Sequence, residues 1–355
     1  MRPTGSDEVS PRLVVINLRG GLDGLAAVPP HGDPAYRAAR GGLALPMTGP
    51  RRIIDLDGRF GLHPALGPLH AFFARGEMLV MPASCFSQQD APLESRSPAG
   101  PNEGPLHAVG QDRIAAVVRR SVRSLAATYA ERDGPLWQSL GADSARRSAQ
   151  LDLVADLSHN NPEIGRSLTA LGWPRDLRAA FAAEARFFSR RAAEIGHRLA
   201  AGDAPAMTVL ESGGWDTHSD QGAADGRLAI ALAGLGDGIA ALAAASGRAW
   251  RNTAVLVLTE FGRAVRMNAM EGTDHGAASV ALLLGGDVAG GRVLGSWPGL
   301  APDRLLQGGG LQPTMDLAGV IPALLAPHMR QAFAAEQISF PNAAGSQPAL
   351  RLFRG

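Results

Sequence analysis

Residues 211–218 read Glu-Ser-Gly-Gly-Trp-Asp-Thr-His, and this stretch guides the interpretation of the whole chain. The apolar residues 206–210 come directly before it and predict a short buried strand. Two glycines then allow a sharp turn. Asp216 and His218 follow two residues apart, so in an extended segment both side chains point the same way. This arrangement favours a divalent metal site, although Asp-x-His triplets are also common in caps and on surfaces.

Two later segments support the metal interpretation. The apolar, β-branched residues 253–258 predict a strand that runs into Glu260. Asp274 and His275 lie just before another predicted strand, at 279–284. Acidic and histidine residues therefore adjoin several predicted strands. Ligands of open α/β sheets bind at the carboxyl ends of the strands, so these side chains predict one site at that edge.

The first predicted strand covers residues 12–18, and Asp23 follows it after a pair of glycines. Asp23 would project at the carboxyl end of this strand. Its carboxylate could bind a metal, or it could cap the helix that comes next, because both roles require the same place on the chain. The residues alone leave both alternatives open.

A further strand is predicted at 78–81, followed by Ser84 and Cys85. A hydroxyl or thiol on a strand-to-helix turn is well placed as a nucleophile, because a helix N-terminus favours anions and lowers a thiol pKa. The alternative is that Ser84 caps a helix and Cys85 is a small buried apolar residue.

The middle of the chain, residues 95–205, predicts a helical insertion or cap on the sheet. A Pro-, Gly- and Ser-rich stretch opens it, and apolar residues near 3.6-residue spacing follow. The predicted helices of the whole chain are 61–75, 111–131, 137–157, 174–201, 226–245 and 317–325. We expect a single domain over 1–355, a three-layer α/β/α sandwich with a mostly parallel central sheet and this insertion.

The composition bounds the possible functions. The chain has 355 residues, 45% of them hydrophobic, which supports a full core. It has one cysteine, Cys85, and therefore neither an internal disulfide nor a cysteine-based zinc site. All 34 basic residues are arginine, which excludes a lysine nucleophile and leaves anion binding to arginine.

Charge and hydropathy bear on partners and compartment. The net charge of +1 gives no argument for nucleic acid as a partner. No stretch is expected to span a membrane. Residues 1–11 have no apolar leader segment, which predicts either a cytoplasmic protein or one whose export signal has been removed. The oligomeric state is left open.

Six motifs together resemble the DUF1501 proteins, a branch of the alkaline phosphatase/sulfatase-like superfamily. They occur in family order along nearly the whole chain: L-R-G-G-L-D-G (18–24), G-L-H-P-A-L (61–66), G-G-W-D-T-H (213–218), T-E-F-G-R (259–263), G-T-D-H-G (272–276) and P-T-M-D (313–316). The resemblance implies an alkaline phosphatase-like α/β/α fold with metal ligands at the carboxyl edge of the sheet.

The resemblance also implies roles for individual residues. The implied ligands of one or two divalent metals, zinc, manganese or iron, are Asp23, Asp216, His218, Glu260, Asp274 and His275. Relatives in the superfamily carry a histidine where this chain has Phe261, which favours one firm site and one weak or absent site. The family also has a histidine at the position of Cys85, and Gln89 stands where sulfatase-type maturation of a cysteine needs arginine. Ser84 is therefore the first candidate nucleophile and Cys85 the second.

The sequence thus predicts a metal-dependent hydrolase of phosphate or sulfate esters, either small molecules or polymers. Ser84 would attack, and a helix N-terminus with Arg263 would hold the substrate anion. One alternative is a catalytically degenerate metal-binding protein of the same fold with a structural or envelope-assembly role. Another is a phosphotransferase or mutase that uses the same site.

Overall fold

A computed structural model of the chain describes residues 11–86, 137–159, 161–317, 320 and 352–354. The predicted helix at 111–131, and residues 95–136 of the predicted insertion, lie outside these ranges.

The strands are short and mostly apolar. In chain order they are β1 Arg12–Leu18, β2 Ile54–Asp55, β3 Gly61–Leu62, β4 Met78–Cys85, β5 Trp137–Leu140, β6 Met207–Ser212, β7 Thr253–Thr259, β8 Gly262–Arg263, β9 His275–Gly276, β10 Ser279–Gly285, β11 Arg292–Val293 and β12 Met315–Asp316.

The helices flank the strands in sequence. They are α1 Gly24–Ala27, α2 Tyr36–Arg40, α3 Gly67–Ala74, α4 Ala142–Ser158, α5 Pro162–Ala170, α6 Leu177–Ala201 and α7 Arg227–Ser246.

One central sheet organises these elements, with the strand order β11-β4-β10-β7-β1-β6-β5 and with β12 beside β4. The pairs β1–β6, β1–β7 and β5–β6 are parallel, whereas β10 runs antiparallel to both β7 and β4. The chain is therefore a mixed α/β protein with a mostly parallel central sheet, as the sequence predicted. Because β10 is reversed, its beginning lies at the edge where β1, β6 and β7 end.

Apolar side chains pack on both faces of this sheet. On one face, alternate residues of the strands pack with the long helices α6 and α7, where Ile195, Leu235 and Ile239 are almost fully buried. On the other face, Leu13, Val15 and Leu256 pack with residues near the C-terminus, including Leu317 and Leu352. Burial on both faces explains why these strands read as continuous apolar runs.

Several element boundaries differ from the prediction. Strand β4 continues to Cys85, because residues 82–85 pair with β10 and β12, so Ser84 and Cys85 lie in a strand and not on a strand-to-helix turn. The predicted helix at 137–157 begins only at Ala142, because residues 137–140 pair with β6. The predicted helix at 61–75 is a strand, a 3-10 turn and then α3.

The described part of the predicted helical insertion is joined closely to the sheet. Strand β5 extends the sheet beyond β6, and helix α6 buries Phe188, Ala192 and Ile195 in the same core as the sheet. Strand β5 and helix α6 are therefore continuous with the main core. Whether this block also covers a substrate stays a prediction.

The expectation that no segment could span a membrane needs one correction. The helical stretch Arg227–Asn252 is long and apolar enough to cross one, by length and composition. Leu228, Leu232 and Leu242 of this stretch are buried against the sheet and α6, as in a core helix.

Candidate metal centre

Three of the predicted ligands meet at the carboxyl edge of the sheet. Asp216 and His218 lie in the loop after β6, and His275 lies in β9, just before the reversed strand β10. Their candidate ligand atoms all lie within 4.8 Å of one another, and they are the one such group of histidine, cysteine and acidic residues among the described residues. The topology of the sheet thus brings together residues that are far apart in sequence.

The three ligand atoms form a compact triangle. His218 Nε2 and His275 Nε2 are 3.0 Å apart. Asp216 Oδ1 is 3.1 Å from His218 Nε2 and 3.2 Å from His275 Nε2. All three side chains are about three-quarters buried.

This triangle fits one face of a metal coordination sphere. Ligands at about 2.0–2.2 Å from a cation lie about 2.8–3.6 Å from one another at octahedral or tetrahedral angles. The three observed edges fall within that range. Two imidazoles and one carboxylate are also a donor set that suits zinc, manganese or iron. The residues present therefore fit a divalent metal.

The protonation states favour metal binding. Burial acts to raise the pKa of Asp216, but hydrogen bonds with His218 and His275 and the charge of Arg263 outweigh it and hold this pKa well below its usual range. Burial lowers the pKa of His275. The site therefore offers an ionised carboxylate and a neutral imidazole at neutral pH, as metal ligation requires.

Glu260, also predicted as a ligand, is not part of the group within 4.8 Å, but its charge interacts with that of Asp216 and one of its oxygens has no hydrogen-bond partner among the described residues. Its Oε2 accepts a hydrogen bond from Gly20 N at 2.9 Å, whereas Oε1 is buried and has no hydrogen-bond partner among the described residues. Burial, together with the charges of Glu211 and Asp216, raises the pKa of Glu260 to about 7. A buried carboxylate oxygen without a partner costs free energy, and a bound cation would remove that cost.

Asp23 takes the helix-cap role that the sequence left open. Its Oδ1 accepts hydrogen bonds from the backbone nitrogens of Leu25 and Ala26, both at 3.1 Å. Its Oδ2 is held by Arg40 at 2.5 Å and Gln221 at 2.7 Å. Both oxygens are thus bound within the protein, and Asp23 is not part of the triangle.

Asp274 also lies outside the triangle. Its side chain is largely exposed, and Oδ1 is 3.7 Å from His218 Nδ1. Asn268 donates a hydrogen bond to this oxygen at 2.9 Å and another to the backbone oxygen of His218 at 3.0 Å. Asp274 therefore contacts the far side of a ligand and not the ligand atoms themselves.

Arg263 was predicted to hold a substrate anion, but its donors are directed into the protein. The side chain is completely buried. It donates to the backbone oxygens of Gly20, Gly21, Thr273 and Trp215, and to Asp216 Oδ1. Its role in this structure is to hold Asp216 and the surrounding loops in place.

The candidate nucleophiles lie at the same edge of the sheet, at the end of β4. Ser84 is 2% exposed, and its Oγ has no hydrogen-bond partner among the described residues. Burial and the charge of Asp316 raise the pKa of the Cys85 thiol to about 11. This shift is opposite to the one that activates a cysteine, because the thiolate is the nucleophile.

Phe261, where the resemblance implied a histidine in other proteins, packs beside the three candidate ligands. Its ring packs 4.5 Å from the ring of His275, centre to centre. A Cβ atom at Gly21 would lie 2.3 Å from the Phe261 ring, and Gly21 has a φ of +87°. The aromatic ring thus requires glycine at residue 21 and packs against one side of the triangle formed by Asp216, His218 and His275.

Sequence reasoning missed the residues that support the ligands from behind. Thr217, Thr273 and Gln221 are fully buried and hydrogen-bonded to one another. Arg227 binds the backbone oxygen of Ser219 at 2.9 Å and Asp152 at 2.6 Å. One indication of their role was present in the sequence, since Thr217 and Thr273 belong to the motifs that contain the candidate ligands.

Comparisons with known proteins give a family and no activity. No curated protein matches. One solved structure with similarity is titled "Crystal structure of Ps i-CgsB in complex with k-i-k-neocarrahexaose". It is 12% identical, with 92% of this chain and 73% of that chain covered, at a TM-score of 0.29. A likeness this weak supports no statement about fold or ligand.

The family model described as "Protein of unknown function (DUF1501)" matches residues 116–323. This match spans more than half of the 355 residues. It also contains the three motifs that supply the triangle and Glu260. The chain belongs to the DUF1501 family.

Proposed function

We propose that this protein is a metal-dependent hydrolase of phosphate or sulfate esters. The observation that carries the proposal is the meeting of Asp216, His218 and His275 within 4.8 Å at the carboxyl edge of the sheet. In open α/β proteins this edge is where ligands bind. An alkaline phosphatase-like, three-layer arrangement of the whole chain is part of the same proposal.

These three side chains would hold the metal, and Glu260 is the best candidate for a fourth ligand. Its buried Oε1 has no hydrogen-bond partner among the described residues. A divalent cation held here would polarise an ester oxygen and lower the pKa of a hydroxyl or water nucleophile. Zinc, manganese and iron all suit the donor set.

The chain's own residues prepare the site for that chemistry. Arg263 keeps the Asp216 carboxylate ionised and oriented from the buried side. Ser84 is the candidate nucleophile, because its strand β4 pairs with β10 directly at Ser279, near the start of the strand that follows His275. The largely buried ligands keep competing water away from their inner sides.

Metal content is the first test. We expect the purified protein to contain about one equivalent of zinc, manganese or iron, and Asp216→Ala and His275→Ala to lose it, by elemental analysis after dialysis. The matched controls are Asp303→Ala and His197→Ala, which change exposed residues away from the site. Equal metal content in Asp216→Ala and the unaltered protein would refute the metal centre.

Hydrolysis is the second test. The metal-loaded protein should hydrolyse 4-nitrophenyl phosphate or 4-nitrophenyl sulfate, and Ser84→Ala should lower kcat by at least about 100-fold if the hydroxyl attacks. Full activity in Ser84→Ala would exclude Ser84 and favour attack by water. Transfer to an added alcohol in preference to water would favour the phosphotransferase or mutase alternative.

A second candidate is a metal-binding protein of the same fold without hydrolase activity. It is favoured by the buried Ser84 hydroxyl, the raised pKa of Cys85 and the inward-directed donors of Arg263. None of these groups is arranged as an exposed nucleophile or anion clamp. A filled metal site with no activity on either ester would support this candidate and a structural or envelope-assembly role.

A further inference from the structure

Behind the metal triangle lies a buried hydrogen-bond network centred on the Gln221 side chain. Gln221 Oε1 accepts from Thr217 Oγ1 at 2.8 Å and from Thr273 Oγ1 at 2.6 Å. Gln221 Nε2 donates to Asp23 Oδ2 at 2.7 Å. Gln221 and both threonines are 0% exposed, and Asp23 is 1% exposed.

Each threonine belongs to a ligand-bearing segment. Thr217 stands between Asp216 and His218, and Thr273 stands two residues before His275. Their backbones also meet directly, because Thr273 N donates to Thr217 O at 3.0 Å. The two segments are therefore joined in two ways, through the shared acceptor Gln221 Oε1 and through a direct backbone hydrogen bond.

Burial alternates along the first of these segments. Thr217 is fully buried, while the Asp216 and His218 side chains are 23% and 26% exposed. The backbone turns tightly at Thr217, because His218 N donates to Asp216 O at 3.1 Å, and the middle residue of this turn faces inward while its two neighbours stay partly exposed. The bond from Thr217 to Gln221 thus determines where both ligands point.

Asp23 and Arg40 determine the orientation of the Gln221 amide. Asp23 Oδ2 already accepts a hydrogen bond from the buried Arg40 guanidinium at 2.5 Å, so it serves as an acceptor for its second partner as well. The Gln221 nitrogen must therefore face Asp23, which leaves the amide oxygen toward the two threonine hydroxyls. Glutamine is the residue that supplies a donor on one side and an acceptor on the other.

We propose that Gln221, anchored by Asp23, is the positioning residue that sets the separation of the two ligand-bearing segments, a role that rests on the proposed metal centre. Asp23 then acts on the site through hydrogen bonds and not as a ligand. Partners behind metal ligands typically change metal affinity by about 10–100-fold when they are removed.

The test compares Thr217→Val and Thr273→Val with a matched control. Valine keeps the threonine shape and removes the hydroxyl. The control is Thr253→Val, because Thr253 is also buried, at 3% exposed, and donates to Ala249 O at 2.8 Å at the start of β7, away from the ligand edge. Gln221→Glu is a further variant, which keeps the acceptor for the threonines and sets a second carboxylate against Asp23.

Zn²⁺ affinity is measured by titration calorimetry, and the Co²⁺ absorption spectrum reports ligand geometry. We expect about 10–100-fold weaker Zn²⁺ binding and an altered Co²⁺ spectrum for Thr217→Val, Thr273→Val and Gln221→Glu, with no change for Thr253→Val. Equal loss of thermal stability in all the valine variants, with unchanged Zn²⁺ affinity and Co²⁺ spectrum, would overturn the proposal.

A metal-independent readout separates this proposal from the proposed function. In metal-free protein labelled with ¹⁵N-histidine, the ring signals of His218 and His275 should shift in Thr217→Val and Thr273→Val and stay in place in Thr253→Val. If the unaltered protein binds no metal but these signals shift, the proposed function fails and the positioning role stands. If the signals stay unchanged, the positioning role fails whatever the metal result.

Discussion

Arg263 binds the Asp216 carboxylate from the protein interior at the same oxygen, Oδ1, that His218 and His275 contact from the other side. The guanidinium is completely buried, and its other donors bind backbone oxygens of three separate segments. The arginine thus joins the end of β1, the loop after β6 and the loop before β9. The Arg263 guanidinium thus stabilises both the charge of Asp216 and the arrangement of the loops.

Replacing Arg263 should therefore destabilise the whole protein. Arg263→Met removes the buried positive charge beside Asp216 and leaves several buried carbonyls without this donor, and we expect a loss of about 3–5 kcal/mol in the free energy of unfolding. Arg263→Lys should lose less, because it keeps the charge without the planar fork. Urea denaturation measures both. Arg166→Met, at an exposed position, is the control and should change stability by less than about 0.5 kcal/mol.

Gly272→Ala should separate the two ligand-bearing segments. A Cβ atom at Gly272 would lie 2.2 Å from the backbone oxygen of His218, so the backbone itself must shift. We expect a destabilisation of more than about 2 kcal/mol and weaker metal binding, measured by thermal melting and titration calorimetry. The control is Gly165→Ala in helix α5, where a Cβ meets nothing closer than 3.8 Å. Equal metal affinity in the two variants would contradict this view of residue 272.

Cys85 should react slowly with thiol reagents. A pKa of about 11 leaves its thiol protonated at pH 8, and the thiolate fraction is about 100-fold smaller than for an ordinary cysteine. Because the chain has one cysteine, Ellman's reagent reports this residue alone. We expect slow labelling of the folded protein at pH 8, fast labelling in denaturant, and a rate that rises as the pH approaches 11. Rapid labelling of the folded protein at pH 7 would contradict the raised pKa of the Cys85 thiol.

Arg227 should couple helix α4 to the loop that carries Asp216 and His218. It binds Asp152 at 2.6 Å and Asp156 at 3.1 Å in α4, and the backbone oxygen of Ser219 at 2.9 Å, directly after His218. Removing one partner of such a buried pair costs about 3–5 kcal/mol, so Arg227→Met should lower stability by that amount at pH 8. Hydrogen exchange should also speed up in residues 216–221.

The pH dependence of this loss has a definite sign. Burial raises the pKa of Asp152 to about 7, even though Arg227 opposes the shift. The folded state thus holds a proton that the unfolded state releases near pH 4, and this contribution to stability declines as the pH rises from about 4 to about 7. The cost of Arg227→Met should be smaller at pH 5, where the Asp152 carboxyl is protonated, than at pH 8. A cost independent of pH would show that Asp152 is ionised throughout.

The grouping of Asp216, His218 and His275 could be predicted from the sequence because local rules act on each part of it. Asp216 and His218 follow an apolar strand closely in sequence, which places both in the loop at the sheet edge. His275 was predicted for the same reason, although it precedes a strand instead of following one. The reversal of β10, which brings its beginning to this edge, depends on pairing with β4 and β7.

Other roles depended on partners distant in sequence. The sequence allowed Asp23 to be either a metal ligand or a helix cap. In the structure its Oδ1 caps the helix, and its Oδ2 is bound by Arg40 and Gln221, which are 17 and 198 residues away. Ser84 and Cys85 were expected on a turn, but pairing with β12 continues the strand through them. Pairing with β6 likewise makes residues 137–140 a strand and not the start of a helix.

The sequence by itself determined the mixed α/β class, the central strands and the residues that carry donor atoms, because apolar periodicity and residue chemistry are local properties. The tertiary structure alone decided how the donors are used. In the folded chain the Arg263 side chain is buried and binds backbone oxygens, and Asp23 caps a helix and binds Gln221. These outcomes follow from burial, since a buried charged or polar group must bind whichever partners the fold brings within hydrogen-bond distance.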